Sequence, residues 1–312
     1  MNRYYTIGED NKEEFDNDLF YEKNGHYPVI CWWSGGITSA VACLKAIELY
    51  GRDKCRVIFI DTNNEDSDTY RFMKNCEVMY GLPIETITSN KHKSVQDVWY
   101  KYNSLNVANG AVCSSEMKRR VREDWQKENK WLHQVFGFEM EESKRAKSMV
   151  LNHSKTNPIF PLMMYGLSKK DCINIIEEIG INPPRMYQLG FHNNNCFTTG
   201  CVQGGIGYWQ KMRDEFPDKF NKMAEVEHDL TERKGKPVTM LKDQSGKAKQ
   251  NGNFQVFLKP HPDYPNYKDL SMMTGREVKP LMECNGFCGV NDLEERSATE
   301  QEINMGDQID LF

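Results

Sequence analysis

Residues 29–39 read Val-Ile-Cys-Trp-Trp-Ser-Gly-Gly-Ile-Thr-Ser, and they combine a strand pattern, a turn pattern and the start of a helix pattern. The apolar run Val29–Trp33 predicts a buried strand, and Ser34-Gly35-Gly36 predicts a tight turn. Apolar residues then recur at helical spacing over Ile37–Tyr50. A turn of this kind at the start of a helix directs backbone N–H groups and the positive end of the helix dipole outward. The sequence therefore predicts an anion-binding turn, of the kind that holds phosphate groups.

The composition indicates a soluble, globular protein. The chain has 312 residues, a hydrophobic fraction of 39%, a charged fraction of 27% and a net charge of −5. No apolar run approaches the roughly 20 residues of a membrane span, so no membrane association is expected. The N-terminus is acidic and lacks the apolar core of a signal peptide, which predicts a cytoplasmic location. With a negative net charge, any contact with nucleic acid would need a local basic patch.

The order of predicted elements indicates the fold class. From residue 27 onward, predicted strands alternate with predicted helices, which is typical of an α/β fold with a mostly parallel sheet and helices on both faces. We divide the chain into a polar N-terminal extension (1–26), a nucleotide-binding domain (27–190), a small cysteine-bearing C-terminal module (191–293) and a flexible tail (294–312).

The turn and two later strand ends resemble a known superfamily. Residues 34–39 resemble the PP-loop, Ser-Gly-Gly-x-Asp-Ser, of ATP pyrophosphatases and sulfonucleotide reductases, with Thr38 in place of the aspartate. The second predicted strand ends in Asp61-Thr62, and the fourth ends in Gly137-Phe138-Glu139, followed by Glu142 and Arg145. Over residues 27–207 the chain is similar to phage and bacterial members of the phosphoadenosine phosphosulfate reductase family.

This resemblance implies an adenine nucleotide site and names its residues. The nucleotide, ATP or a sulfonucleotide, would be held by Ser34, Gly35, Gly36, Ile37, Thr38, Ser39, Asp61, Thr62, Gly137, Phe138 and Arg145. The catalytic candidates are Asp61, Glu142, Lys118 and Cys113. Thr38 cannot replace a carboxylate as a ligand of Mg²⁺, the expected metal cofactor, so we expect Asp61, Glu65 or Glu142 to take that role, unless the substrate needs the metal less.

Cys113 precedes a strongly basic segment that is predicted to be helical over residues 114–130. The family has a similar Cys-(Thr/Ser)-x-x-(Leu/Met)-Lys segment, whose lysine corresponds to Lys118. Ser114 is positioned to cap the helix, and a cysteine at a helix N-terminus beside cations has a lowered pKa. The alternative is a packed cysteine beside a solvated basic helix face.

Four further cysteines form two pairs, C-x4-C at Cys196 and Cys201 and C-x3-C at Cys284 and Cys288, both flanked by glycines. Four thiolates suit either tetrahedral Zn²⁺ or a [4Fe–4S] cluster, and the spacing does not choose between them. The alternative is four unrelated reduced thiols. Five other cysteines lie in apolar patterns and are interpreted as core residues: Cys31, Cys43, Cys55, Cys76 and Cys172.

The last five residues read Gln308, Ile309, Asp310, Leu311 and Phe312. They resemble the short peptide Gln-Leu-(Ser/Asp)-Leu-Phe, which binds the bacterial sliding clamp. A pentapeptide with one substitution also arises by chance, or its apolar residues could fold back onto the protein.

Three functions fit these observations. The first is an ATP-dependent enzyme that activates a substrate and delivers sulfur to it, with nucleic acid as a candidate acceptor. The second is a sulfonucleotide reductase, which is favoured because those enzymes also lack the PP-loop aspartate and disfavoured because their C-terminal Glu-Cys-Gly-Leu-His is absent. The third is a non-catalytic nucleotide-binding protein, which only Thr38 favours.

Overall fold

A computed structural model describes residues 25–281, apart from 108–109, 195, 244, 246–247 and 249–253. The strands are β1 (Val29–Trp33), β2 (Cys55–Asp61), β3 (Ile84–Thr88), β4 (Asn106–Val107), β5 (Gly110–Ala111), β6 (His133–Val135), β7 (Pro158–Ile159), β8 (Leu241–Lys242), β9 (Gln255–Phe257) and β10 (Lys268–Asp269). The α-helices are α1 (Ile37–Tyr50), α2 (Ser67–Tyr80), α3 (Val95–Tyr102), α4 (Val112–Ser114), α5 (Arg120–Glu128), α6 (Ser143–Asn152), α7 (Pro161–Met164), α8 (Lys169–Glu178), α9 (Arg185–Gln188), α10 (Ile206–Glu215) and α11 (Pro217–Lys234).

A five-stranded sheet with the order β3-β2-β1-β6-β7 forms the centre of the described molecule. Every pair of neighbouring strands in it is parallel, which confirms the predicted fold class. Strand β1 lies between β2 and β6, with Cys31 opposite Val57 on one side and Val135 on the other. The chain therefore leaves β1 toward one edge of the sheet and later returns on the other side of β1.

Helices cover both faces of this sheet. Because side chains alternate along a strand, Cys31 and Trp33 join a core cluster with residues of α1, α2 and α8, while Trp32 joins a cluster with Met149 of α6 on the opposite face. Strand β1 is buried along its whole length, as expected for a central parallel strand. The five cysteines interpreted as core residues are all buried.

Helix termini follow the local sequence where a cap is available. Ser168 and Asp171 form a capping box at the start of α8, and Gly81 ends α2 in the left-handed conformation with φ of 62°. The prediction that Ser114 caps the basic helix is wrong. The helical segment already begins at Val112, and Ser114 has helical backbone angles and makes no capping hydrogen bond.

The basic segment is also not one regular helix. Residues Ser115–Arg119 form a π-helical turn between α4 and α5. Such a turn widens the helix by one residue and rotates the side chains that follow, and it occurs frequently at functional sites. Lys118 lies within this turn and is buried, although most side chains of the segment that follows it are at least partly exposed.

The C-terminal part of the described chain packs on α10 and α11. A helix was predicted over residues 208–233 with a break near Pro217, and the structure has two helices that meet there. The core beneath them joins Trp209 and Met212 with Val98 and Trp99 of α3. The predicted domain boundary at residue 190 stays a prediction. None of the described helices is long and apolar enough to span a bilayer.

Candidate functional site

The predicted phosphate turn forms the connection between β1 and α1. Ser39 Oγ accepts hydrogen bonds from the N–H and the hydroxyl of Ser34, both at 3.0 Å, and donates to the carbonyl of Gly36 at 2.9 Å. Gly35 has φ of 86°, which favours glycine. The side chains of Thr38 and Ser39 are buried, so the surface that the turn offers to a ligand is mainly backbone.

The turn follows β1, the strand at which the order of strands along the sheet reverses. Strand β1 has β2 on one side and β6 on the other, and in open α/β sheets ligands bind in the crevice outside the carboxyl ends of the strands at such a point. Gly137, two residues after β6, faces the turn so closely that a Cβ atom there would lie 2.7 Å from Ser39 N and 2.9 Å from Thr38 C. Glycine is therefore required where the chain after β6 approaches the backbone of Thr38 and Ser39.

Two side chains that were not predicted as site residues hold the turn from outside. The hydroxyl of Tyr187 accepts the N–H of Ile37 at 3.1 Å. Asn194 Nδ2 donates to the carbonyl of Gly35 and to Thr69 Oγ1, both at 2.9 Å. Asn194 appeared in the sequence only as a neighbour of Cys196, and no local pattern pointed to Tyr187.

The carboxylates that could replace the missing aspartate all have protein partners. Asp61 accepts from the Tyr70 hydroxyl at 2.9 and 3.1 Å and from the N–H of Asn63 at 2.7 Å. The Tyr70 hydroxyl has a raised pKa because it is desolvated and bonded to this carboxylate. Glu142 forms an ion pair with Arg145 at 2.7 Å. Asp61 and Glu142 are therefore engaged by protein groups: Tyr70 and Asn63 bond the first, and Arg145 pairs with the second.

The third carboxylate, Glu65, lies beside Lys118. Their Oε1 and Nζ atoms are 3.7 Å apart, and both residues are buried. Burial raises the pKa of Glu65, while Lys118 and a hydrogen bond from Thr62 oppose that effect. Thr62, a predicted nucleotide contact, therefore points its hydroxyl to Glu65. This arrangement places one cation in a buried environment close to the carboxyl end of β2.

Phe138 and Arg145 pack on each other. The Arg145 guanidinium lies 4.4 Å from the centre of the Phe138 ring, and Phe138 is fully buried and stacks on Phe160 at 5.4 Å. Phe138 therefore belongs to the core beneath the site, and Arg145 covers it.

Cys196 lies close to Glu65, Lys118 and Cys113. Burial raises the pKa of the Cys196 thiol to about 12, with further contributions from the charge of Glu65, which raises it, and of Lys118, which lowers it. The half-buried Cys113 also lies within electrostatic reach of Cys196. Cys201 is buried nearby, and its N–H donates to the hydroxyl of Tyr208 at 3.0 Å.

The proposed metal ligands are only partly within the structure. Among the residues that the structure describes, no three His, Cys, Asp or Glu side chains are arranged to hold a metal ion. Cys284 and Cys288 lie outside the described residues, as do Gln308–Phe312 of the clamp-like tail. The described chain ends at Leu281, whose N–H donates to Asn193 Oδ1 at 2.8 Å. Residue 281 is therefore beside the loop that carries Cys196.

A large cavity of about 540 Å³ lies elsewhere, between α10 and residues 271–278. No residue predicted for the nucleotide site lines it, so the candidate site remains the edge of the sheet around residues 34–39.

A comparison with known protein families matches more than half of the chain. The family model described as "Phosphoadenosine phosphosulfate reductase domain" matches residues 28–203, which span β1, the turn, Gly137, Tyr187 and both described cysteines of the 196–201 loop.

Two individual proteins are similar over part of the chain. An uncharacterized protein of Methanocaldococcus jannaschii is 24% identical over 217 residues, which are 66% of this chain and 50% of that protein. The chain thus matches only half the length of this curated relative. The crystal structure of a phosphoadenylyl-sulfate reductase from Candida auris, in complex with phosphate, is 15% identical and covers 55% of this chain and 83% of its own, with a TM-score of 0.39.

Proposed function

The chain belongs to the phosphoadenosine phosphosulfate reductase family, and from this premise we propose that it is an enzyme that acts on sulfonucleotides. In this proposal the 5′-phosphate of an adenine nucleotide binds the backbone of residues 34–39. The sulfur attached to that phosphate then faces the cysteine-bearing side of the site, where it is cleaved.

The contact between Asn194 and Gly35 carries the proposal. A single side chain ties the phosphate turn to the loop that bears Cys196, two residues further on. This contact, together with the buried pair of Lys118 and Glu65 beside Cys196, supports a site at which an anion and a thiol meet. A protein that only binds a nucleotide does not require a cysteine next to its phosphate-binding turn.

The carboxylates support a sulfonucleotide over ATP. Mg²⁺ is held by carboxylate oxygens and water, and pyrophosphate release from ATP relies on it. Thr38 offers no carboxylate, Asp61 and Glu142 are engaged by Tyr70 and Arg145, and burial raises the pKa of Glu65. These residues fit a magnesium ion poorly, and we assign no step to it.

The proposed chemistry uses Cys113 and Lys118. The thiolate of Cys113 attacks the sulfur of the sulfonucleotide, the bond between that sulfur and the phosphate oxygen breaks, and the nucleoside phosphate leaves with the electron pair. Lys118 stabilises the charge on the leaving phosphate. The thiolate of an external dithiol then attacks the Cys113 sulfur, a mixed disulfide forms, and sulfite leaves.

We also propose that Cys196, Cys201, Cys284 and Cys288 hold one Zn²⁺ ion or [4Fe–4S] cluster. The contact between Leu281 and Asn193 supports this, because Cys284 is three residues beyond Leu281 and Cys196 is three residues beyond Asn193. Three residues span at most roughly 11 Å. A centre of this kind would join the C-terminal part of the chain to the nucleotide site.

Product analysis tests the proposed function. The purified protein is incubated with a dithiol and either adenosine 5′-phosphosulfate or its 3′-phosphorylated form, and sulfite is measured. Parallel reactions with ATP and Mg²⁺ are assayed for pyrophosphate. We expect sulfite and no pyrophosphate, and we expect Lys118→Ala and Cys113→Ser each to lower sulfite release at least about a hundredfold.

The rival outcomes are distinct. Pyrophosphate without sulfite would replace this proposal by ATP-dependent sulfur transfer, for which nucleic acid was the candidate acceptor. Neither product, with nucleotide binding retained, would indicate the non-catalytic alternative.

A further inference from the structure

Tyr187 engages one N–H group of the phosphate turn. Its hydroxyl oxygen accepts the N–H of Ile37 at 3.1 Å, although the two residues are 150 positions apart. Ile37 is the first residue of α1, and its N–H is one of the groups that a helix N-terminus offers to an anion. A second N–H of the turn, that of Ser34, is donated to Ser39 Oγ.

The position of Tyr187 is fixed by its neighbours. It belongs to the short helix α9, whose first residue, Arg185, donates through its guanidinium to Asp66 at 2.6 Å and through its backbone to Asp68 at 2.7 Å. Arg71 bonds the carbonyl oxygens of Asn182 and Pro183, at 2.7 and 3.1 Å. These contacts anchor the start of α9 to helix α2 and so hold the backbone that carries Tyr187 in place.

The opposite side of the turn is held as well. Asn194 bonds the carbonyl of Gly35, and a Cβ atom on Gly35 would lie 2.8 Å from the Thr69 methyl group. The turn is therefore clamped between Asn194 and Tyr187. It has little freedom to open around a larger anion.

We propose that Tyr187 is a specificity-determining residue that disfavours a second phosphate group at the turn. A β-phosphate carries more negative charge than the sulfate group that takes its place in a sulfonucleotide, so it gains more from an N–H donor, and Tyr187 withholds one donor at the positive end of α1. A sulfonucleotide therefore keeps its contacts, whereas a β-phosphate finds the N–H of Ile37 already bonded. This inference rests on the proposed function and explains its choice of substrate class.

Titration of nucleotides that differ by one phosphate tests this role. Affinities for AMP and ADP are measured by calorimetry with the full-length protein and with Tyr187→Phe and Tyr187→Leu. We expect the wild-type protein to bind the two nucleotides within about threefold of each other. Removing the hydroxyl frees the N–H of Ile37, and a hydrogen bond to a charged acceptor corresponds to about a tenfold gain for ADP over AMP.

A second variant and a control distinguish the effect of the Tyr187 hydroxyl from other effects of substitution. Tyr187→Leu removes the ring as well, in case the phenyl edge of Tyr187→Phe still blocks the β-phosphate. Tyr165→Phe, a half-exposed tyrosine after α7, should leave both affinities unchanged. Thermal midpoints are compared to establish that each variant is folded.

Each result has one meaning. A higher ratio of ADP to AMP affinity in either variant supports the proposal. An unchanged ratio in both variants, an equal loss of both affinities, or a wild-type preference for ADP of more than about tenfold overturns it while leaving the proposed function intact. Failure of the wild-type protein to bind any adenine nucleotide would overturn the proposed function together with this inference.

Discussion

Thr38 is the residue at which the turn departs from the PP-loop pattern that it resembles. It occupies the position of the PP-loop aspartate, yet its side chain is buried and cannot reach a ligand as that carboxylate would. The sequence predicted the turn itself, because strand, glycines and helix are local signals. It did not predict Tyr187 or Asn194, because their contacts with the turn join residues more than 100 positions apart.

A substitution at Gly137 tests how closely the chain after β6 packs against the start of α1. Gly137→Ala would place a Cβ atom 2.7 Å from the backbone of Ser39, so either the end of β6 or the start of α1 must shift. We expect a loss of about 1–3 kcal/mol in unfolding free energy, as for other overpacked sites, together with weaker nucleotide binding.

Urea denaturation and calorimetry measure the two effects. Gly275→Ala is the matched control, since a Cβ atom there meets no atom within 4 Å. If the two variants have equal stability and affinity, Gly137 does not pack against the backbone of Ser39 as closely as described.

At the scale of elements, local patterns predicted most boundaries but not their distortions. Ser168 caps helix α8 in a capping box with Asp171, and Pro217 separates α10 from α11 as expected. The π-helical turn at Ser115–Arg119 was missed, because no local residue pattern marks it; Lys118 within this turn lies 3.7 Å from Glu65. Strand β6 is shorter than the predicted span of residues 133–138, since the chain turns toward α1 at Gly137.

Glu227 is the contact that joins α11 to the β8–β9 hairpin. It is fully buried, and its two carboxylate oxygens accept the N–H groups of Met240 at 2.8 Å and Leu258 at 2.6 Å. Burial raises its pKa from 4.5 to about 8, against the lowering effect of those two bonds. The folded protein therefore holds a proton that the unfolded chain releases between these two pH values.

This shift predicts how stability depends on pH. The contribution of Glu227 is fully present below about pH 4.5 and is lost as the pH rises through 8, at up to about 1.4 kcal/mol per pH unit. Glu227→Gln cannot titrate, so the stability difference between the wild-type protein and this variant should shrink between pH 5 and about 8. Denaturation at several pH values measures it, with the exposed Glu225→Gln as control. A constant difference across that range would show that Glu227 keeps an ordinary pKa.

At the scale of the whole molecule, alternating strands and helices predicted a parallel sheet, but they did not determine its strand order. The order β3-β2-β1-β6-β7 depends on where β6 returns, and that return is what places Gly137 beside the turn. The same long-range folding brings residue 281 to Asn193. Contacts of this kind depend on the packed core, so sequence spacing alone could only suggest that the cysteine pairs meet.

The metal proposal is tested on the intact chain. We expect protein purified without oxygen to contain about one zinc ion or one four-iron cluster, as measured by metal and sulfide analysis and by the absorbance spectrum. Cys196→Ser and Cys284→Ser should each remove most of it, because each deletes one of four ligands. Cys172→Ala, a buried cysteine in α8, should leave the content unchanged. Loss of metal in only one of the two ligand variants would show that the two cysteine pairs do not share one metal centre.

We propose above that an adenine nucleotide binds through its phosphate to the backbone of residues 34–39. Gly36 has φ of −91° and ψ of 161°, a conformation that valine adopts without strain, so Gly36→Val should fold normally while its side chain crowds the anion site. Calorimetric titration of adenosine 5′-phosphosulfate into the wild-type protein and this variant is the most direct measurement. We expect binding by the wild-type protein and none by the variant, at equal thermal midpoints. Equal affinity of the two proteins would contradict it.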